Sequence, residues 1–209
     1  PGVEITTGPL GQGVANAVGF AMAKAYTANQ VYSDTCELID HKVYCLCGDG
    51  DLQEGISYEA CALAGHLGLK DLILIYDSNS ITIEGDTNIA WSEDVAKRFE
   101  AQNWNVLKIN GHCYDAIDEA LVEAKSATKP TIIIANTIIG KGAGELEGSH
   151  HTHGAPLGED IIKASKQKEG FDPDETFQIP QDVLVRFRCA IEQGELAQKA
   201  WKHRFKQAP

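Results

Sequence analysis

The chain has 209 residues, 43% hydrophobic and 23% charged, the balance of a globular protein long enough to bury a proper core. This excludes whole-chain disorder, a collagen-like repeat and a disulfide scaffold, and no apolar run approaches the ~18–20 residues of a membrane span. Eighteen Lys and Arg against thirty Asp and Glu leave a net charge of −12; such a chain repels a nucleic-acid backbone, and repels small anions unless a metal or oriented backbone offsets the field.

In chain order, Thr7-Gly8-Pro9-Leu10-Gly11-Gln12-Gly13 is too rich in Gly and Pro for regular structure. Apolar positions Val14, Ala17, Val18, Ala21, Met22 and Ala25 then recur at helical spacing. Val43 to Cys47 reads as a buried strand ending in Gly48-Asp49-Gly50, followed by one helix from about Gln53 to Leu67. Leu72 to Tyr76 is a second strand, ending in Asp77-Ser78-Asn79. A helix over Ser92–Ala101 has Ser92 as its expected N-cap, with Asp94 nearby. Val106–Ile109 is a strand closed by Asn110-Gly111, Asp115–Ala127 a helix, and Thr131–Ala135 the last strand, followed by Ile139-Gly140-Lys141-Gly142. The loop over 140–157 is polar and rich in Gly and His, and a charged helix or linker follows Pro180. Alternating strands and helices predict an α/β fold, a parallel sheet flanked by helices on both faces. Its continuously apolar strands predict that both faces are covered.

The cysteines Cys36, Cys45, Cys47, Cys61, Cys113 and Cys189 form no CxxC pair. They read as small core residues of a protein from a reducing, cytoplasmic compartment. No targeting leader is visible, and the first residues read as the middle of a loop, so a fragment of a longer protein is expected.

In parallel α/β sheets ligands bind beyond the carboxyl ends of the strands. Gly48-Asp49-Gly50 combines a glycine turn and a helix start, which suit a diphosphate, with the carboxylates Asp49, Asp51 and Glu54, which repel one. A hard cation such as Mg²⁺ between carboxylate and phosphate oxygens resolves the conflict, and Asn79 offers a second, neutral oxygen. An ordinary acidic first turn complementing the helix dipole is the competing reading. Gly11-Gln12-Gly13 lacks the third glycine and preceding strand of a dinucleotide fingerprint, and Gly140-Lys141-Gly142 is no P-loop. His150, His151 and His153 read as a solvated loop, as proton-handling or substrate-binding groups, or as metal ligands. His66 reads as a satisfied core histidine.

Gly48-Asp49-Gly50, then twenty-eight residues, then Asn79 resembles the thiamine diphosphate signature. Thr6 to Gly13, Gly48 to Ser57, Ala64 to Leu67, Ile81 to Gly85 and Ser149 to Leu157, in this order, resemble transketolases from Pro1 to about Pro180. The resemblance implies a thiamine diphosphate-binding fold over residues 1–180. Residues 181–209 then lead towards a pyrimidine domain outside the chain. It implies transfer of a two-carbon ketol unit between sugar phosphates, in the pentose phosphate pathway, by a homodimer that binds neither nucleic acid nor membrane. By position, Asp49 and Asn79 would ligate Mg²⁺ (with Ca²⁺ as a substitute) through side-chain oxygens and Ile81 through its carbonyl. Gly50 would approach the diphosphate, Gly8, Pro9 and Leu10 would line the pyrimidine end, and Ile139 would pack on the cofactor. His153 would be the catalytic histidine facing diphosphate and substrate, and Glu54 would meet the partner subunit. The sequence departs from the family in Ser78, where many thiamine enzymes have Asn, and in a slightly lengthened His loop that leaves His150 and His151 as competitors of His153. The family's N-terminal histidines precede Pro1 and its pyrimidine-activating glutamate lies in a later domain, so this chain alone is expected to be inactive. Dihydroxyacetone synthase, deoxyxylulose phosphate synthase and a non-catalytic module of the same fold are the alternatives.

Overall fold

The computed structural model describes residues 2–31 and 38–207, so Cys36 lies outside the described residues. The chain separates into two compact units, residues 1–25 with 41–156 and residues 26–40 with 157–209.

The first unit is built on a four-stranded parallel sheet. Its strands are β1 (Val43–Gly48), β2 (Leu72–Ser78), β5 (Asn105–Asn110) and β6 (Thr131–Asn136), in the order β1-β2-β6-β5. A short antiparallel hairpin, β3 (Ile81–Thr82) with β4 (Gly85–Asp86), follows β2. Five helices accompany these strands: α1 (Gln12–Gln30), which runs on past the first unit, α2 (Asp49–Gln53), α3 (Gly55–His66), α4 (Val95–Ala101) and α5 (Tyr114–Ser126). The register pairs Gly48 with Asp77 and Ser78 with Asn136, so the carboxyl ends of β1, β2 and β6 finish side by side. That alignment brings the polar bends of the sequence to one edge.

Strand alternation sorts the core into two layers. Leu72, Leu74, Tyr76, Ile132 and Ile134 point to the face packed by α1, α2, α3 and α4. Ile73 and Ile133 point to the other, packed by Ala120 and Ala124 of α5. Phe99, fully buried from α4, stacks edge-on with Trp104 at 5.1 Å; burial of a ring this size is worth ~1.5–3 kcal/mol. Cys45 and Cys47 share a face and belong to the larger layer, and burial pushes the Cys45 thiol up to about 11 and raises that of Cys47 further from reactivity.

The structure corrects four local expectations. Coverage of both strand faces fails at the edge strand β1, where Leu46 is 80% exposed, because on that side the described helices pack only against the strands beyond it. The single helix over Gln53–Leu67 is two helices with a break at the extended residue Glu54, and the first already begins at Asp49. The N-cap of α4 is Asp94, whose carboxylate accepts a bond from the Lys97 amide at 3.1 Å, and Ser92 lies outside the helix. His66 is exposed at the end of α3 instead of sitting in the core.

The second unit contains α6 (Glu159–Lys168) and α7 (Gln181–Gln207). Lys163 pairs with Asp174, and the Trp201 indole of α7 donates to the Leu38 carbonyl at 3.0 Å. No described helix is long and apolar enough to cross a membrane.

Candidate functional site

Gly48 is the N-cap of α2, and Asp51, three residues on, reaches back to accept the Gly48 amide at 2.9 Å. This is the carboxylate half of a capping box. Its other oxygen accepts the Gly11 amide at 3.0 Å, so Asp51 clamps the Gly-rich loop before α1 onto the bend. Gly11 has φ +77°, and a side chain there would strike Ile56, Glu54 and Ser57 at 2.8–3.0 Å. Only glycine fits this backbone and this approach. Leu10 lies against Gly50, where an added Cβ would meet Leu10 Cδ1 at 3.2 Å, whereas Gly8 faces open space.

The floor of the bend is Asp49, 4% exposed. Its Oδ1 accepts the Tyr76 hydroxyl at 2.7 Å, and its Oδ2 faces the Asn79 amide N–H at 3.4 Å. Burial raises the pKa of this carboxyl; hydrogen bonds from Tyr76 and Asn79 pull the other way without cancelling it. Burying a carboxylate costs free energy, and here no salt bridge to Asp49 offsets that cost among the described residues.

Asn79 closes an Asx turn: its Oδ1 accepts the Ile81 amide at 2.9 Å, across Ser80 at φ +63°. Its Nδ2 donates to Asp77 at 3.2 Å, which fixes the amide orientation. Asp77 also accepts the Thr137 hydroxyl, and the Thr137 amide donates to the Ser78 carbonyl at 3.1 Å. The end of β2 is thereby tied to the loop after β6. Within that loop, the Ile139 carbonyl accepts the Gly148 amide at 2.8 Å, and Gly140 at φ +60° is crowded by Thr152. Thr152 ends a single 3-10 turn, His150–Thr152, and His153 follows as its cap. The rings of His150 and His151 lie 4.1 Å apart, while His153 is exposed.

The structure thus places Asp49, Gly50 and Leu10 together and sets Asn79 against Asp49. Ile81 follows through the Asx turn, Pro9 and Gly8 are exposed beside Leu10, and Glu54 is exposed at the α2–α3 break. Ile139 and His153 belong to a second assembly after β6, linked to Asn79 through Asp77. Sequence reasoning left Tyr76, Asp77 and the clamp role of Asp51 without a function. Tyr76 read as strand core and Asp77 as turn punctuation, although Asp51 at N3 of a glycine-capped turn carried the capping-box spacing.

The donor set suits a hard cation: a buried carboxylate and an amide oxygen, both hard oxygen donors, on neighbouring bends with glycine beside them. Over residues 1–209 the sequence matches the family described as transketolase, thiamine diphosphate binding domain. The chain belongs to this family. It is 50% identical to the transketolase of Kluyveromyces lactis over 96% of its own length, and 47% identical to transketolase 2 of Escherichia coli over 98%. The solved transketolase of Campylobacter jejuni superposes with a TM-score of 0.94 at 61% identity, covering 98% of this chain and 32% of that one. That of Leishmania mexicana gives 0.95 at 42% identity, covering 99% and 31%. The chain spans 30% and 31% of the length of the two curated relatives. Membership in this transketolase domain family accounts for thiamine diphosphate as the ligand.

Proposed function

We propose that the chain is the diphosphate-binding part of a full-length, Mg²⁺-dependent transketolase. Residues 1–180 form the cofactor-binding domain, and residues 181–209 lead towards a pyrimidine domain. Asp49 and Asn79 hold Mg²⁺ through side-chain oxygens and Ile81 through its carbonyl. Gly50 gives the diphosphate close access to backbone, Gly8, Pro9 and Leu10 line the pyrimidine end, and Ile139 packs on the cofactor. His153 faces the diphosphate and the reacting sugar and manages its protons. Glu54, exposed at the α2–α3 break, meets the second subunit of a homodimer. When bound, thiamine diphosphate supplies the carbanion chemistry, and the chain's own residues anchor and orient it.

The observation that carries this reading is the buried Asp49 carboxylate, unpaired by any salt bridge among the described residues and set beside Asn79 at the carboxyl edge of the sheet. A divalent cation there offsets both the burial and the repulsion of a diphosphate by a chain of net charge −12. Sugar phosphates as substrates are supported by the solved Pichia stipitis transketolase in complex with sedoheptulose-7-phosphate, 40% identical to this chain. Two-carbon transfer between such sugars puts the enzyme in the pentose phosphate pathway, and the unpaired thiols among the described cysteines suit the cytoplasm.

Calorimetric titration of the full-length enzyme with thiamine diphosphate, with and without Mg²⁺, tests the proposal. Tight binding that collapses on chelation is expected. Equal affinity without a divalent cation would remove the metal bridge.

A further inference from the structure

Outside the residues assigned above, one histidine is built into the loop that carries Ile139. His112 follows β5 in the turn Asn110-Gly111-His112, which is fixed from several sides. The Asn110 side chain accepts the His112 amide at 3.0 Å, and the Gly111 amide donates to the Asn136 carbonyl at 2.8 Å. Gly111 is pressed so close to the neighbouring strand end that a Cβ would lie 2.5 Å from Thr137. The turn delivers the His112 ring to the next loop, where its Nε2 accepts the backbone N–H of Ile138 at 2.9 Å. An Nε2 that accepts is unprotonated, so Nδ1 carries the ring hydrogen.

This bond is the third anchor of one short segment. Thr137 is held twice to the end of β2, through its amide to Ser78 and its hydroxyl to Asp77. Ile138 is held to β5 through His112. The next residues are Ile139, whose carbonyl takes the Gly148 amide, and Gly140, packed on Thr152 beside His153. We infer that His112 is a positioning residue: its ring nitrogen pins the Ile138 amide and so sets the backbone course of the segment that presents Ile139 and braces the His153 turn. The acceptor atom, not the bulk of the ring, is what the segment requires. This inference rests on the cofactor reading above only for its consequence; the anchoring itself does not depend on it.

The test compares His112→Leu, which fills similar space without an acceptor, with His112→Gln, whose amide oxygen reaches about as far as Nε2, in the full-length enzyme. Amide exchange at Ile138 is measured without cofactor and should speed up about five- to tenfold in the Leu variant and stay near wild type in the Gln variant. The concentration of thiamine diphosphate giving half saturation should rise about fivefold in the Leu variant only, with turnover at saturating cofactor little changed. If the Leu variant misfolds, His112→Ala takes its place. Unchanged exchange on losing the acceptor, or equal impairment of the Leu and Gln variants, would overturn the assignment. Failure of the wild-type enzyme to bind thiamine diphosphate would sink the cofactor reading instead, and exchange at Ile138 would still decide the role of His112.

Discussion

The acidic bend at Gly48–Gln53 and the histidine loop over 140–157 follow strands of the same sheet, yet they are secured by opposite means. The bend is locked by side chains: Asp51 grips two backbone amides and Tyr76 grips Asp49. The Ser57 hydroxyl donates to the Asp51 carbonyl at 2.5 Å, and Arg98, stacked on Tyr58, donates to the Leu52 carbonyl at 3.0 Å. The loop is secured mainly by backbone bonds and by glycines at positive φ, among them Gly140, Gly142, Gly144, Gly148 and Gly154, and it leaves His151 and His153 exposed. On the reading proposed above, Asp49 belongs to a metal-ligand set, which must be held rigidly because a buried carboxylate that can relax will find other partners. On the same reading His153 handles protons, which needs reach and access to solvent instead.

Removing the central carboxylate of the bend should have the largest effect. Asp49→Ala in the full-length enzyme should weaken Mg²⁺-dependent retention of thiamine diphosphate by about a hundredfold or more, an effect at least as large as loss of metal-site outer partners. Calorimetry with excess Mg²⁺ reads it directly. Cofactor affinity equal to that of wild type would mean the bend is merely an acidic helix start.

The loop should respond differently. His153→Ala should lower turnover about a hundredfold, with a higher substrate requirement, while cofactor affinity changes little. His151→Ala should stay near wild type, since its ring lies tilted against that of His150. Steady-state kinetics of the two variants side by side settles the order, and a larger loss at His151 would move the proposed catalytic role from His153 to His151.

Much of this was legible in the sequence, and the reasons are physical. The apolar parts of β2 (Leu72 to Tyr76) and β6 (Ile132 to Ala135), buried or nearly so, stand out as apolar runs, and the turns after β1, β2 and β6 carry the polar residues that an α/β edge collects. Asp49 and Asn79 draw attention in the sequence because a carboxylate in a glycine turn suited to a diphosphate calls for a cation, with an acidic helix start as the competing reading. The break at Glu54 is not legible locally: Gln53-Glu54-Gly55 fits the helical pattern, and the break lies where Gly11, remote in sequence, comes close to Glu54, Ile56 and Ser57. Asp77 and His112 escaped for a related reason. Each acts through a bond to the loop after β6, at separations of 60 and 26 residues, which no local pattern encodes.

A third side-chain lock lies at the opposite end of the strands. Asp71, just before β2, takes Lys24 of α1 at 2.5 Å and Lys42 at 2.7 Å. Burial alone would raise its carboxyl, but the hydrogen bonds and charges of the two lysines together outweigh burial and hold it below the usual carboxylate range. A carboxyl lowered in the folded state contributes stability above its unfolded pKa, about 3.9, and that contribution is lost as pH falls through the lowered folded value, because the unfolded chain takes up its proton first. Asp71→Asn should therefore cost about 1.5–3 kcal/mol near neutral pH, and the gap to wild type should close below about pH 4. Thermal unfolding across pH measures this. Since the triad lies away from the carboxyl edge, cofactor affinity in the variant should stay within about twofold of wild type. A loss approaching that of Asp49→Ala would show that the rigidity of the acidic bend is set by the whole sheet and not by its local side-chain locks.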